Sequence, residues 1–405
     1  MKLLGELGRF VNLRSVTDKA FGAAFFFLPI SKPLLYLSLL AAFFLFTVSG
    51  DIAKALRNWR NLPWTIPALV LALLPLSWTL MHGNGNLQFS KLQLSYYWLF
   101  AFMTFFAASQ IRVVPWMHAF LGGVFGVWCY TQLVAIGWWP FKHAPSASAN
   151  HILYSYFLAL AIVLSSVLYK HADSPSKRLA YLTGMVLFFF GLMTGNGRTG
   201  MLIVVILLPY ILLNIFRKRN VAKVTLGCLV AVLMLMMSST VQVRINQAVQ
   251  DIALFRQDVT QTSLGYRFQM WETAWEVFRE NPLLGAGPRG FQEAWADKAS
   301  DEPVIPFREP HNAFLFYASS YGVIGLLSLI WLYVALLWTG WRQRHSLAGG
   351  IVFSFAAVVV LSSFTNTVFM GAVNLACVML FIGLQGGLLY PSSGNGPCKE
   401  RQSHG

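Results

Sequence analysis

The chain has 405 residues, of which 56% are hydrophobic and only 11% are charged. A soluble globular protein carries about 25% charged residues, so this composition excludes an ordinary soluble enzyme and favours a protein with many membrane spans of ~20 residues each. The net charge of +15 would suggest nucleic-acid binding in a soluble protein, but cytoplasmic loops rich in Lys and Arg are its plainer cause in a membrane protein.

Long apolar segments, bounded by charged residues, Gly or Pro, predict an all-α polytopic membrane protein with twelve transmembrane helices. We keep the first segment as a span although basic residues precede it, because no small-residue cleavage site follows. The twelve segments are residues 17–30, 34–49, 64–81, 92–108, 115–138, 151–169, 179–195, 199–216, 221–238, 312–338, 347–368 and 373–389.

The distribution of basic residues predicts the orientation of these helices. If the N terminus lies in the cytoplasm, most Lys and Arg residues fall in inner segments. The short outer loops then hold only Lys32, Lys91, Lys142 and Arg198. Because cytoplasmic loops of membrane proteins are enriched in Lys and Arg, we expect both chain ends to be cytoplasmic.

One long loop, residues 239–310, is predicted to lie outside the membrane on the non-cytoplasmic side. It holds 10 of the 15 acidic residues, as a folded, water-facing unit would. Its pattern predicts helices at Val243–Phe255, Ser263–Glu280 and Phe291–Lys298. The predicted organisation is nine spans in 1–238, the loop in 239–310, three spans in 311–390 and a cytoplasmic tail in 391–405.

Two motifs of the outer side are discounted. Gly285–Gly290 matches G-x-G-x-x-G, but no strand precedes it and dinucleotides are absent from that side, so we expect no dinucleotide site. The short outer loops contain no Asp or Glu, which removes the paired carboxylates that a hard cation needs. We therefore expect no metal and no cofactor.

Arg198 is the first candidate site residue. It lies in a Gly-rich outer turn, residues 194–200, between two apolar segments. The glycines would allow backbone N–H groups and the guanidinium to converge on an anion at the start of the next helix. The alternative is an interfacial arginine that reaches lipid headgroups.

Arg267 is the second candidate. On the predicted helix 263–280, positions 267, 270, 271, 274, 275 and 278 share one apolar face, so Arg267 is predicted to belong to a buried stripe. It either pairs with Asp258 or needs an anionic partner such as a lipid phosphate.

His311 is the third candidate, where the long loop returns to the membrane. Pro310 is expected to start the next helix, and neutral imidazole is a competent base at neutral pH. Glu309 or Asn312 could orient it, although a histidine at a helix start is often structural. His151, with His143 before it, lies on the same outer side, either in an acceptor cavity or in a structural interfacial role.

Together these features resemble the bacterial O-antigen ligase and O-antigen polymerase superfamily. The resemblance is carried by Arg198 in its Gly-rich turn, by Ser263-x3-Arg267-x3-Trp271-x2-Ala274, by Pro282-x2-Gly285-x-Gly287 with Phe291, and by His311-Asn312 before an apolar helix. It covers about residues 190–325 by motif and the whole chain by span layout. Pro288-Arg289 departs from it, because the family often has a further Gly there.

The resemblance implies a metal-independent, inverting membrane glycosyltransferase of the GT-C type. It would move O-antigen from undecaprenyl diphosphate to a hydroxyl of lipid A-core at the periplasmic face of the inner membrane. The compact length and single large loop favour a ligase over a polymerase or a protein O-oligosaccharyltransferase. A transporter or flippase for an anionic lipid is the alternative from another class, but its polar mid-membrane residues are scarce here.

The sequence analysis ends in a hypothesis about roles. Arg198 and Arg267, with Arg289 as a further contact, would bind the diphosphate and stabilise its developing charge. His311 would accept the proton of the acceptor hydroxyl. The expected partners are the lipid-linked donor, lipid A-core and membrane lipids, with no nucleic acid.

Overall fold

A computed structural model describes residues 13–48, 58–82, 92–108, 113–138, 151–195, 197–216, 221–237, 239–255, 257, 262–298 and 306–389. Within these ranges the chain is helical and contains no strand. The helices are α1 (Leu13–Phe27), α2 (Lys32–Val48), α3 (Thr65–His82), α4 (Gln93–Tyr96), α5 (Trp98–Ala108), α6 (Val114–Ala135), α7 (His151–Lys170), α8 (Pro175–Thr194), α9 (Arg198–Phe216), α10 (Val221–Met237), α11 (Ser239–Phe255), α12 (Ser263–Glu280), α13 (Gly290–Lys298), α14 (Ala313–Arg342), α15 (Leu347–Ser363) and α16 (Ala372–Leu389).

Every predicted apolar segment coincides with a helix, and the segment 92–108 with two, α4 and α5. By length and composition, four of the described helices could cross a membrane: α7, α9, α14 and α16. Shorter apolar stretches lie in α2, α3 and α15. These helices are those of a multi-pass membrane protein, while the count of twelve spans and their orientation stay predictions.

Two predicted helix ends are wrong, each for a local reason. Helix α8 begins at Pro175 and not at 179, because the side chain of Ser174 caps it by accepting a hydrogen bond from the N–H of Lys177. Helix α15 ends at Ser363 and not at 368. Residues 364–371, here called the 364–371 segment, run without a regular helix from α15 to α16.

The largest core surrounds α7, which is buried along almost its whole length. Helix α9 packs closely on α7, because a Cβ at Gly200 would lie 2.3 Å from the carbonyl oxygen of Ser155. The long loop has a separate small core, which contains Met270, Phe291 and Trp295 with Phe307 beside them. This loop core rests on α14, since both α12 and α13 contact that helix.

Helix α14 is interrupted at Gly322, whose φ of 64° and ψ of −157° are not helical. The Gly-rich turn after α12 packs into this break. The N–H groups of Ala286 and Gly287 donate to the carbonyls of Ser319 and Ser320, both at 2.9 Å. These donors therefore join the loop to α14, and the G-x-G-x-x-G turn has a structural role.

The predicted apolar stripe of α12 is partly wrong. Met270 and Ala274 are buried as expected, but Trp275 is 49% exposed. Thr273 and Val277 are buried instead, because the face of α12 that meets α13 and α14 is rotated by part of a turn from the predicted one. Arg267 lies at the edge of this face and is partly buried.

Candidate active site

His311 lies in an unusual backbone conformation directly before α14. Its φ is 49°, and it is the single non-glycine residue with positive φ among the described residues. Such a conformation costs about 1–3 kcal/mol and is found mainly where the surrounding structure enforces it, often at functional sites. The ring of Phe307 packs edge-on against the imidazole, with 5.9 Å between ring centroids.

Asn312 is the residue that enforces this conformation. It is the N-cap of α14, and its Oδ1 accepts hydrogen bonds from the N–H groups of Phe314 (2.9 Å) and Leu315 (3.1 Å). Its Nδ2 donates to the carbonyl of Phe364 at 3.2 Å. Helix α14 therefore begins at Ala313, one residue after the start of the predicted segment 312–338, and Asn312 caps it directly after His311.

Glu309 is the acidic neighbour of the imidazole. Its Oε1 lies 3.6 Å from Nδ1 of His311, and the two side chains are 20% and 25% exposed. This distance is slightly longer than a hydrogen bond. Oε2 of Glu309 and Nδ1 of His311 are buried and have no hydrogen-bond partner in the part of the chain that the structure describes, so both can still take one.

Burial changes the protonation of this pair. It raises the pKa of Glu309 to about 7, against a smaller opposing effect of the Thr367 hydroxyl. Burial also lowers the pKa of His311, and the positive charge of Arg267 lowers it further. At neutral pH His311 is therefore a neutral imidazole, and the Glu309 carboxyl is close to its titration midpoint.

Arg267 lies close enough to the imidazole to act on its charge, and Arg198 lies close enough to act on Arg267. Burial lowers the pKa of Arg267, and the charge of Arg198 adds to this effect. No carboxylate of the described residues forms an ion pair with Arg267, and Asp258, its predicted alternative partner, lies outside those residues. Two neighbouring guanidinium groups without a carboxylate favour an anion between them.

Arg198 is placed by the start of α9. Its Nη2 donates to Oε1 of Gln247 at 3.3 Å, which links it to α11. The glycine beside it serves packing, because a Cβ at Gly197 would lie 2.2 Å from Cβ of Ser155. We had expected this glycine to expose backbone donors to an anion; the structure shows that it lets α9 approach α7.

The 364–371 segment joins these parts, and sequence analysis missed it. Thr365 shares a hydrogen bond of 3.0 Å with Thr199 at the start of α9, Phe364 accepts the bond from Asn312, and Thr367 acts on Glu309. The signal was the polar triplet Thr365-Asn366-Thr367 inside an apolar run, which we had included in the span 347–368.

The remaining candidates lie apart from this cluster. Arg289 is exposed and lines a separate cavity with Arg308; none of the described contacts joins it to His311. His151 is the exposed first residue of α7, close to Gly197 through its carbonyl oxygen, and His143 lies outside the described residues. The described residues contain no group of three or more His, Cys, Asp or Glu that could hold a metal.

The fold and site thus define a multi-pass helical membrane protein that gathers a neutral histidine, a buried carboxyl and two arginines at one end of its helices. Residues 183–330, which include Arg198, Arg267 and His311, match the family model described as O-Antigen ligase. The chain is 33% identical over 89 residues to an O-antigen ligase of Salmonella typhimurium, a match that covers 21% of this chain and 22% of that protein.

A second curated relative is an uncharacterized protein of Haemophilus influenzae, 25% identical over 201 residues, which is 46% of this chain and 50% of that protein. The matches therefore span half of these relatives or less. The family model covers less than half of the chain. Together with the Salmonella relative it agrees with the resemblance found in the sequence.

Proposed function

We propose that the protein is an O-antigen ligase that transfers glycan from undecaprenyl diphosphate to a hydroxyl of lipid A-core, at the periplasmic face of the bacterial inner membrane. One observation carries the proposal: Arg267 is within electrostatic reach of both Arg198 and His311 and has no carboxylate partner among the described residues. A diphosphate would supply the missing negative charge.

The arginines would act on the leaving group. As the bond between the anomeric carbon and the phosphate oxygen breaks, negative charge grows on that oxygen. Guanidinium groups held at this position stabilise the transition state more than the ground state, and each charge-assisted hydrogen bond contributes about 1.5–3 kcal/mol. This chemistry requires no metal.

His311 would act on the acceptor. The hydroxyl oxygen attacks the anomeric carbon, its proton moves to the neutral imidazole, and the lipid diphosphate leaves from the opposite face, so the anomeric configuration inverts. General-base catalysis of this kind contributes about 10²–10⁴-fold. The lowered pKa of His311 keeps the imidazole unprotonated and available at neutral pH.

Glu309 would be a positioning residue for that base. Its carboxylate form, 3.6 Å from Nδ1 of His311, can accept a hydrogen bond from Nδ1–H, orient the ring and stabilise the imidazolium that forms, as a carboxylate does beside a catalytic histidine. Such contacts often tighten only when substrate binds. Trp271, one turn from Arg267, also presents a buried indole N–H without a described partner, which substrate could accept.

The test uses the purified full chain with undecaprenyl-diphosphate-linked O-antigen and lipid A-core. We expect a joined product, detected by gel shift and mass spectrometry, and at least tenfold slower transfer by Arg198→Lys and Arg267→Lys, because an ammonium cannot reproduce bidentate phosphate contacts. Arg279→Lys is the matched control, since Arg279 is exposed on the same helix as Arg267.

Other outcomes would assign a different activity. Elongation of the donor glycan without use of lipid A-core would indicate a polymerase. Movement of the donor lipid across vesicle membranes with no joined product would indicate a flippase, and full transfer by both lysine variants would remove the arginines from the mechanism.

A further inference from the structure

A cavity of about 180 Å³ is lined in part by Arg308 and Phe316, residues that flank His311 in the sequence. Its walls come from the start of α4, the turn before α13, Arg308 before His311 and the 364–371 segment, together with residues of α13, α14 and α16. The residues that matter for its chemistry are Arg289, Arg308, Gln93, Gln292, Phe316 and Phe369.

The polar side of this cavity is built for an anion. Arg289 and Arg308 approach it from different segments, and the amides of Gln93 and Gln292 add neutral donors. None of the described residues that line it is acidic, and neither arginine forms an ion pair with a described carboxylate. Two guanidinium groups with two amides match the geometry of a phosphate group.

The other side of the cavity is apolar. Phe316 and Phe369 are almost fully buried, and Met370 and Leu375 extend their surface. Because about 10–15 Å³ of such volume is enough for one water molecule, the cavity of about 180 Å³ has room for a phosphate group with part of a sugar ring. An aromatic wall opposite the cationic groups suits the carbon face of a sugar.

The cavity is separate from the arginine and histidine cluster. Its lining does not include Arg198, Arg267, Glu309 or His311, although Arg308 precedes His311 by three residues. A ligand bound here would therefore contact none of these four side chains.

We propose that this cavity, formed by Arg289, Arg308, Gln93 and Gln292 against Phe316 and Phe369, binds a phosphate group carried on a sugar. Only the origin of the ligand rests on the proposed function. The phosphorylated sugar would belong to a glycan substrate, which the cavity would hold in place while His311 acts on another part of it. Binding remote parts of a substrate in this way improves the orientation of the reacting atoms.

The experiment measures binding of glucose 6-phosphate to the detergent-purified full chain by titration calorimetry. We expect binding that plain glucose and inorganic phosphate do not match, and at least tenfold weaker binding by Arg289→Gln and by Arg308→Gln. Arg279→Gln, an exposed arginine outside the cavity, should bind as the wild type does. Both cavity arginines are exposed, so the variants should fold, which unchanged circular dichroism and melting temperature would verify.

Three results would overturn the proposal. The first is wild-type affinity in the Arg289→Gln, Arg308→Gln double variant. The second is equal binding of inorganic phosphate. The third is displacement of glucose 6-phosphate by phosphatidic acid vesicles with the same arginine dependence, which would assign the cavity to a lipid headgroup.

The same measurement separates this site from the proposed active site. The variants Arg198→Lys and Arg267→Lys should keep their affinity for glucose 6-phosphate while losing transfer. Loss of glucose 6-phosphate binding in those two variants would place the sugar phosphate at the active site and contradict a second site. Absence of ligase activity with intact, Arg289-dependent binding would leave this cavity standing and reject the ligase assignment.

Discussion

At the scale of single residues, burial decides the chemistry of the site. Glu309 and His311 are separated only by Pro310 and are ordinary in type, yet the structure moves the pKa of one up and of the other down. Both shifts favour the neutral form, because a charge removed from water is penalised. The result is a pair that is uncharged or nearly so before substrate arrives, beside two permanent cations.

The raised pKa of Glu309 predicts how stability depends on pH. Because the folded-state pKa of about 7 exceeds the unfolded value of 4.5, the contribution of Glu309 is fully present below pH 4.5 and is lost as pH rises to about 7. The total loss is about 3 kcal/mol at most. We expect Glu309→Gln to abolish this part of the dependence, measured as melting temperature by tryptophan fluorescence at pH 5 and pH 7.5.

The control for this measurement is Glu280→Gln, because Glu280 is exposed at the end of α12. It should leave the pH dependence of the melting temperature unchanged. Identical pH dependence in Glu309→Gln and wild type would contradict the burial of this carboxyl.

The effect of Arg267 on His311 predicts a shifted pH–rate profile. The positive charge of Arg267 lowers the pKa of His311, so Arg267→Gln should raise that pKa and move the acid limb of kcat/KM to higher pH. Arg267→Lys keeps the charge and should leave the limb in place, although both variants transfer slowly. The measurement is residual transfer between pH 5 and pH 8; an unshifted limb in the glutamine variant would mean that His311 is not the group that titrates.

At the scale of elements, the site depends on interruptions of helices. The turn between α12 and α13 packs into the break of α14 at Gly322, and this contact positions α12, with Arg267, on α14. Helix α15 ends at Ser363, and the 364–371 segment that follows connects α9 to the start of α14. Helices that ran on through these points could not bring Arg198, Arg267 and His311 together.

Gly322→Ala tests the first interruption. The residue has a φ of 64°, and a Cβ there would lie 2.3 Å from the carbonyl carbon of Leu283. A left-handed conformation costs a non-glycine residue about 1–2 kcal/mol, and the backbone contact adds to this, so the melting temperature should fall and α12 should become more sensitive to proteolysis. Gly184→Ala is the matched control, because its Cβ would meet only Phe188 at 3.6 Å; equal stability of both variants would show that the break is not required.

At the scale of the whole molecule, the net charge of +15 says little about function. Most of that charge lies in segments predicted to face the cytoplasm, and the loop 239–310 carries more acidic than basic residues. The positive charge that matters is local: one arginine pair beside His311 and a second pair in the cavity of Arg289 and Arg308. The two arginines of each pair come from different segments of the chain, so the sequence shows no cluster of basic residues at either place.

The sequence by itself determined the helical class, the approximate place of each apolar helix and three residues that the structure gathers at one end. It could do so because apolar periodicity, helix caps and charge next to apolar runs are local properties. The prediction from sequence misplaced the buried face of α12 and included part of the 364–371 segment in a membrane span. Burial and helix ends at these places depend on contacts with residues that are distant in sequence.

Only the tertiary structure decided the protonation of Glu309 and His311, the structural role of the Gly-rich turn and the separation of Arg289 from Arg267. Each of these depends on distances between segments that are remote in sequence. Desolvation, charge interactions and the satisfaction of backbone hydrogen bonds are set by such distances, and the order of residues along the chain does not specify them.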